Sequence, residues 1–248
     1  PIINWASSAL LVSTILTGCN EEKQRPNVLF ICVDDLRREL GCYGSEVKSP
    51  NMDRLANEGS LFFHHYVQVP TSGASRASML TGKLPSNRQD LSNEACRLRL
   101  SDKPEGENPE TLFHHLRRNG YYTVGIGKIS HYADGYLYAY EEPKSMKPYS
   151  WDEMLFDSGK WGNGWNAFFG YSDGSNRQSC HKQVKPYECV SVEDEGLPDG
   201  LTANLAVAKL KELAGKKQPF CLAVGFFKPH LPFTAPKKYW DLYDEDSI

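Results

Sequence analysis

Apolar residues gather in short unbroken runs, separated by stretches with helical spacing. Val28-Leu29-Phe30-Ile31-Cys32-Val33 is continuous and β-rich, which suits a strand buried on both faces of a parallel sheet. Residues 121–126 and 220–227 repeat that signature. Between these runs the spacing predicts helices. Ser49 offers a cap, Pro50 stands in the first turn and Gly59 ends a helix over 49–59. A second helix is predicted over 109–119, with Asn108 as cap, Leu112, Phe113 and Leu116 on one face, and Gly120 as stop. A third, over 201–214, carries Leu201, Leu205 and Ala208 at i, i+4 and i+7 before Gly215. Helices alternating with buried strands give an α/β class with a mostly parallel central sheet flanked by helices. Residues 132–199 break the pattern, being rich in Tyr, Trp, Gly, Pro and charge, and read as a long functional insertion.

With 248 residues, 40% of them hydrophobic, the chain can bury a sizeable core as one large domain or two small ones. The net charge of −3 gives no basic surface field, so nucleic acid is excluded as the expected partner. Residues 6–17 are small or apolar and uncharged, too short to span a membrane, and close on Leu16-Thr17-Gly18-Cys19. That ending resembles the lipobox of bacterial lipoproteins. It implies a signal peptide over 1–18 lacking its start, a lipid anchor to the membrane at Cys19, and a polar tether over 19–25. The expected location is the periplasm or cell surface of a bacterium. Cys180 and Cys189 stand in a polar, turn-rich stretch where a disulfide would close a short loop in an oxidising compartment. Cys32 and Cys221 fall within apolar runs and read as buried free thiols. Cys42 and Cys96 stay unassigned, and no C-x-x-C pair supports a zinc site.

Candidate chemistry begins at Asp34-Asp35, directly after the first apolar run. Adjacent carboxylates at the carboxyl end of a buried strand suit a divalent cation, although a solvated turn has the same composition. Next comes Ser72-Gly73-Ala74-Ser75-Arg76-Ala77-Ser78-Met79-Leu80-Thr81-Gly82, a small-residue turn entering a short helix. Ser72 at the helix start faces backbone N–H donors and Arg76 offers a planar fork, both suited to an anionic ester. A capped surface helix is the bland alternative. Here a family resemblance becomes specific. The stretch resembles the signature of formylglycine-dependent sulfatases: Cys or Ser, any residue, Pro or Ala, Ser, Arg, three residues, then Leu-Thr-Gly. Ser72 stands in the modified position, and Ala74 where Pro is commoner. Gly120-Tyr121-Tyr122-Thr123-Val124-Gly125-Ile126-Gly127-Lys128-Ile129-Ser130-His131 resembles the second family signature, ending in Gly-Lys-x-x-His. Lys228-Pro229-His230-Leu231-Pro232-Phe233 resembles the Lys-Pro-His-x-Pro-Phe segment of the iduronate-2-sulfatase branch, as do Cys180, Cys189 and Leu197-Pro198-Asp199.

The resemblance implies an alkaline-phosphatase-like α/β fold, of which residues 26–248 would be the N-terminal part. It implies oxidation of Ser72 to formylglycine by a maturation enzyme of the radical-SAM type, and Ca²⁺ shared by Asp34, Asp35 and position 72. One hydroxyl of the formylglycine hydrate would attack sulfur, giving a sulfated enzyme. Arg76 and Lys128 would offset charge on the sulfonyl oxygens, with Lys128 and His131 binding sulfate and orienting the hydrate. His230 would protonate the departing sugar oxygen, and His131 would assist release of sulfate. The implied substrate is a sulfated carbohydrate, with a 2-O-sulfated uronic acid of a glycosaminoglycan-like glycan following from the branch. The family's metal site also needs an Asp followed by Asn or His, and another Lys, from later in the fold. This stretch alone is therefore expected not to turn over. A phosphodiesterase or phosphonate hydrolase of the same superfamily, or an inactive glycan-binding lipoprotein, are the other readings. Trp151, Trp161 and Trp165 suit a sugar site or a core equally well. His64, His65, His114, His115 and His181 read as packing or surface residues.

Overall fold

The computed structural model describes residues 25–99, 105–107, 109–138, 143–145 and 149–244. The stretch around Cys19, and Asn108, lie outside the described residues. In chain order come β1 (Val28–Val33), α1 (Pro50–Glu58), α2 (Ser72–Thr81), α3 (Glu94–Arg99), α4 (Leu112–Arg118) and β2 (Tyr122–Gly127). The antiparallel pair β3 (Tyr136–Tyr138) and β4 (Pro143–Ser145) follows, then β5 (Glu153–Leu155), α5 (Gly164–Phe168) and β6 (Tyr187–Val190). The last elements are α6 (Pro198–Ala214), β7 (Phe220–Phe226), β8 (Phe233–Pro236) and α7 (Lys237–Trp240).

The central sheet has the order β1-β7-β2-β5, and every pairing in it is parallel. Alternation along β7 explains its two layers, because successive side chains of a strand point to opposite faces. Cys221 and Ala223 face a cluster built from Ala74, Ala77 and Leu80 of α2 and Phe113 of α4. Leu222 and Val224 join Val124 and Ile126 of β2 against Leu205, Leu210 and Leu213 of α6. A third cluster of Trp161, Ala167, Phe168 and Phe227 forms beyond the strand ends. This is the expected α/β architecture. Among the described residues no helix is long and apolar enough to cross a membrane.

Several local expectations change. The second predicted helix starts at Leu112, because the Thr111 side chain accepts the amide of His114 at 3.0 Å and bonds Ser150 at 2.7 Å. Leu112 then points to solvent while Phe113 is fully buried. The inward side of α6 is carried by Thr202, Leu205, Ala206, Leu210 and Leu213, leaving Ala208 exposed. β1 is covered on one face only: Leu29 and Ile31 stay exposed, since α6 packs across β7 and β2. Residues 132–199 are more than an insertion, because they supply β5 to the central sheet and most of the third cluster. Trp151 and Trp161 belong to the core, Trp151 lying 4.4 Å from the Phe113 ring.

The disulfide expected between Cys180 and Cys189 is not formed here; both are free thiols. Alternation along β6 turns Cys189 outward with Tyr187, near Lys237, while Glu188 turns inward to bond Ser172. Cys180 lies instead in a turn closed by Cys180 N to Asn176 O, beside Tyr171. Cys221 is the inert thiol expected, burial pushing its pKa up to about 12.

Candidate active site

The parallel sheet brings the singled-out residues to one edge. Asp34 follows β1, Lys128 and His131 follow β2, and His230 follows β7, all at carboxyl ends. Close packing of β7 on the end of β2 is part of this placement. A Cβ on Gly225 would stand 2.0 Å from the Lys128 carbonyl oxygen, so a side chain there would push Lys128 away. Ser72 is the first residue of α2, which is anchored at its amino end. The amide of Gly73 donates to Asn93 Oδ1 at 2.8 Å, and Cys96 Sγ donates to the Gly73 carbonyl at 3.1 Å. A Cβ on Gly73 would meet the Asn93 backbone at 2.5 Å.

Three buried charges form the floor. Asp34 Oδ1 accepts from Arg76 Nη2 at 2.8 Å, and Asp34 Oδ2 from Lys128 Nζ at 2.8 Å. The same ammonium donates to the Ser72 hydroxyl at 3.1 Å. Arg76 Nη1 donates to the carbonyls of Lys128, at 2.7 Å, and Ile129, at 3.0 Å. Side-chain exposures of 6%, 1% and 3% for Arg76, Lys128 and Asp34 shut out bulk water, so these contacts act in a low dielectric. Burial pushes the Asp34 carboxyl up, but Lys128 and then Arg76 outweigh it and hold the group below its ordinary range. Burial, then Arg76, lowers the Lys128 ammonium. The guanidinium of Arg76 is thus engaged inside the protein, and the cation beside Ser72 is Lys128.

Asp35 diverges from its neighbour. Its backbone is left-handed (φ 56°), its side chain is 56% exposed, and Oδ2 lies 3.8 Å from His230 Nε2. On its other nitrogen His230 donates Nδ1–H to the Leu231 carbonyl at 2.6 Å, which leaves Nε2 on the side of Asp35. Phe168 packs on the imidazole at 4.5 Å and also lies 5.0 Å below the Lys128 ammonium. His131 is half-buried against Tyr132 and Trp165, and its Nδ1 has no hydrogen-bond partner among the described residues. Burial, then Lys128, lowers its pKa to about 4, so the ring is neutral at ordinary pH.

Asp34, Asp35 and Ser72 offer the hard oxygen donors that Ca²⁺ prefers. Among the described residues, however, no group of three His, Cys, Asp or Glu gathers around one point. The fit is therefore partial, covering a fraction of a six-to-eight-ligand shell. Two residues were unassigned by sequence reasoning. Lys228 and Asp199 appeared only as members of the Lys-Pro-His segment and of Leu197-Pro198-Asp199, with no role of their own, and the predicted helix began at Leu201, beyond Asp199.

The sulfatase family model matches residues 26–247. The chain belongs to the sulfatase family. Within that family it is 32% identical to iduronate 2-sulfatase of Homo sapiens over 236 residues, 94% of this chain and 40% of that protein. It is 30% identical to choline-sulfatase of Rhizobium meliloti (strain 1021) over 232 residues, 89% of this chain and 41% of that protein. The chain thus spans about two fifths of the length of the curated relatives it matches. Its fold is similar to phosphonate monoester hydrolase of Agrobacterium radiobacter, with a TM-score of 0.62, 24% identity, and coverage of 89% of this chain and 44% of that one. At that identity the likeness concerns the fold alone.

Proposed function

We propose that the protein hydrolyses sulfate esters of carbohydrates, with Ser72 oxidised to formylglycine. The observation that carries this reading is the Ser72 hydroxyl 3.1 Å from Lys128 Nζ, at the amino end of a ten-residue helix. Two buried cations against one buried anion leave this floor with one net positive charge. A sulfate ester brings one negative charge to this cationic floor.

The chain's own groups divide the work. Lys128 holds the side chain of position 72 and faces the anion. Arg76 acts by fixing Asp34 and the carbonyls of Lys128 and Ile129. His230 gives a proton from Nε2 to the departing sugar oxygen. His131, neutral above pH about 4, takes a proton from position 72 as sulfate leaves. Formylglycine, once hydrated, would supply one hydroxyl for attack on sulfur and a second for release. Asp34, Asp35 and position 72 would hold Ca²⁺, which supplies positive charge to the sulfonyl oxygens.

The 32% identity to iduronate 2-sulfatase supports a 2-O-sulfated uronic acid as substrate. A serine at position 72 supports maturation by an enzyme of the radical-SAM type. Export as a lipoprotein anchored at Cys19 belongs to the same reading and rests on Leu16-Thr17-Gly18-Cys19. Phosphonate monoesters are also singly charged, so turnover of matched sulfate, phosphate and phosphonate esters is the discriminating assay. Sulfate esters should be hydrolysed fastest, and a preference for phosphonate would overturn the reading.

A further inference from the structure

His230 is held by groups outside the sulfate-facing set. The end of β7 is gripped first. Asp199, in the first turn of α6, accepts the amide of Phe227 on Oδ1 at 2.9 Å and that of Lys228 on Oδ2 at 2.8 Å. Both oxygens of one carboxylate thus fix two successive peptide units, three and two residues before His230. The turn itself is closed by the His230 amide donating to the Phe227 carbonyl at 3.0 Å. From the other side the Lys228 ammonium donates to the His230 carbonyl at 3.1 Å, and reaches the Phe168 carbonyl at 3.5 Å. Phe168 is the residue whose ring lies 4.5 Å from the imidazole. One lysine therefore ties together the backbone of His230 and the backbone of the aromatic residue packed on its ring.

A lysine is a costly choice for bonding carbonyls inside a protein. Burial lowers its pKa to about 8, and burial raises that of Asp199. Asp199 offsets the lysine's charge, and among the described residues neither side chain hydrogen-bonds Ser72, Arg76 or Lys128. We infer that Asp199 and Lys228 form a clamp of opposite charges whose work is to position His230, so that Nε2 is presented beside Asp35 toward the leaving oxygen. Both are positioning residues, and the inference rests on the proposed role of His230 as proton donor.

Leaving-group dependence gives the test. From an activated aryl sulfate such as 4-nitrophenyl sulfate the phenolate departs without needing a proton, whereas the alkoxide of an alkyl or sugar sulfate needs one. Lys228→Met keeps the stem and removes the donors. In the matured protein it should lower kcat on the sugar sulfate about 10- to 100-fold, the scale of a misplaced general acid, with KM little changed. On 4-nitrophenyl sulfate the loss should stay below about threefold. His230→Gln should show the same selectivity, and the double variant should be no slower than His230→Gln alone. If Lys228→Met fails to fold, Asp199→Asn takes its place, since the amide retains one of the two grips; it should show the same selective loss, about tenfold. An equal fall on both esters, or additive losses in the double variant, would overturn the clamp. A complete wild-type protein, converted at position 72 and hydrolysing neither ester, would sink the sulfatase reading instead, so the two failures are separable.

Discussion

Removing Asp34, the anion of the buried floor, should cost far more stability than removing one of its two cations. Asp34 holds Arg76 and Lys128 at 2.8 Å each, with side-chain exposures between 1% and 6%. At that separation and an effective dielectric near 20, each pair attracts by about 6 kcal/mol before desolvation is subtracted. Asp34→Asn removes both attractions and leaves two neighbouring cations buried without a counter-ion. Two charge-assisted hydrogen bonds at about 1.5–3 kcal/mol each put the loss near 3–6 kcal/mol. Lys128→Met leaves the Arg76–Asp34 pair neutral and replaces an ammonium by apolar volume, so its cost should be about 1–2 kcal/mol. Urea unfolding at pH 7, with equal m-values required across variants, measures both. A gap of about 1–5 kcal/mol is expected from these figures. Equal losses, or a greater loss for Lys128→Met, would refute the view that Asp34 neutralises this floor.

Other consequences are equally direct. The pKa of His131, near 4 when folded, lies below its ordinary 6.5. The unfolded chain therefore binds this proton more readily, so the contribution is complete above pH about 6.5 and is lost as pH falls toward 4. Tm measured between those limits should fall for the wild type and flatten in His131→Asn; a parallel slope in both contradicts the assignment. Gly225→Ala should lose about 3 kcal/mol or more in the same unfolding assay, because its Cβ would stand 2.0 Å from the Lys128 carbonyl. Wild-type stability there would disprove the close approach. Alkylation of the native protein without reductant should label exposed Cys189 and spare buried Cys221. Protection of both Cys180 and Cys189 until reduction would restore the bridge that the sequence led one to expect.

The sheet was legible because its strands are continuous apolar runs, a pattern that buried parallel strands require. The α2 site was legible because Ser72 through Gly82 carries a long, ordered signature. Elsewhere the signal was local and the cause was not. Thr111 displaced a helix start through a bond to Ser150, 39 residues away. Glu153–Leu155 is three residues long, too short for its periodicity to declare a strand, yet it pairs with β2. Leu29 and Ile31 looked buried by composition, but their exposure depends on how far α6 reaches. Asp199 and Lys228 are ordinary charges in sequence, and only the fold sets the carboxylate against two amides of β7's end. The engagement of Arg76 with Asp34 and two carbonyls is likewise a tertiary fact, which leaves Lys128 as the cation beside Ser72.

The central claim is that position 72 is chemically converted before the protein works. Mass spectrometry of the peptide containing Ser72, from the complete gene product made anaerobically with its maturation enzyme, tests this most directly. Loss of two hydrogens at Ser72 and capture of the product by an aldehyde reagent are expected, accompanied by sulfate release from a sulfated sugar. Serine remaining intact under those conditions, with sulfated glycans bound but not cleaved, would contradict it.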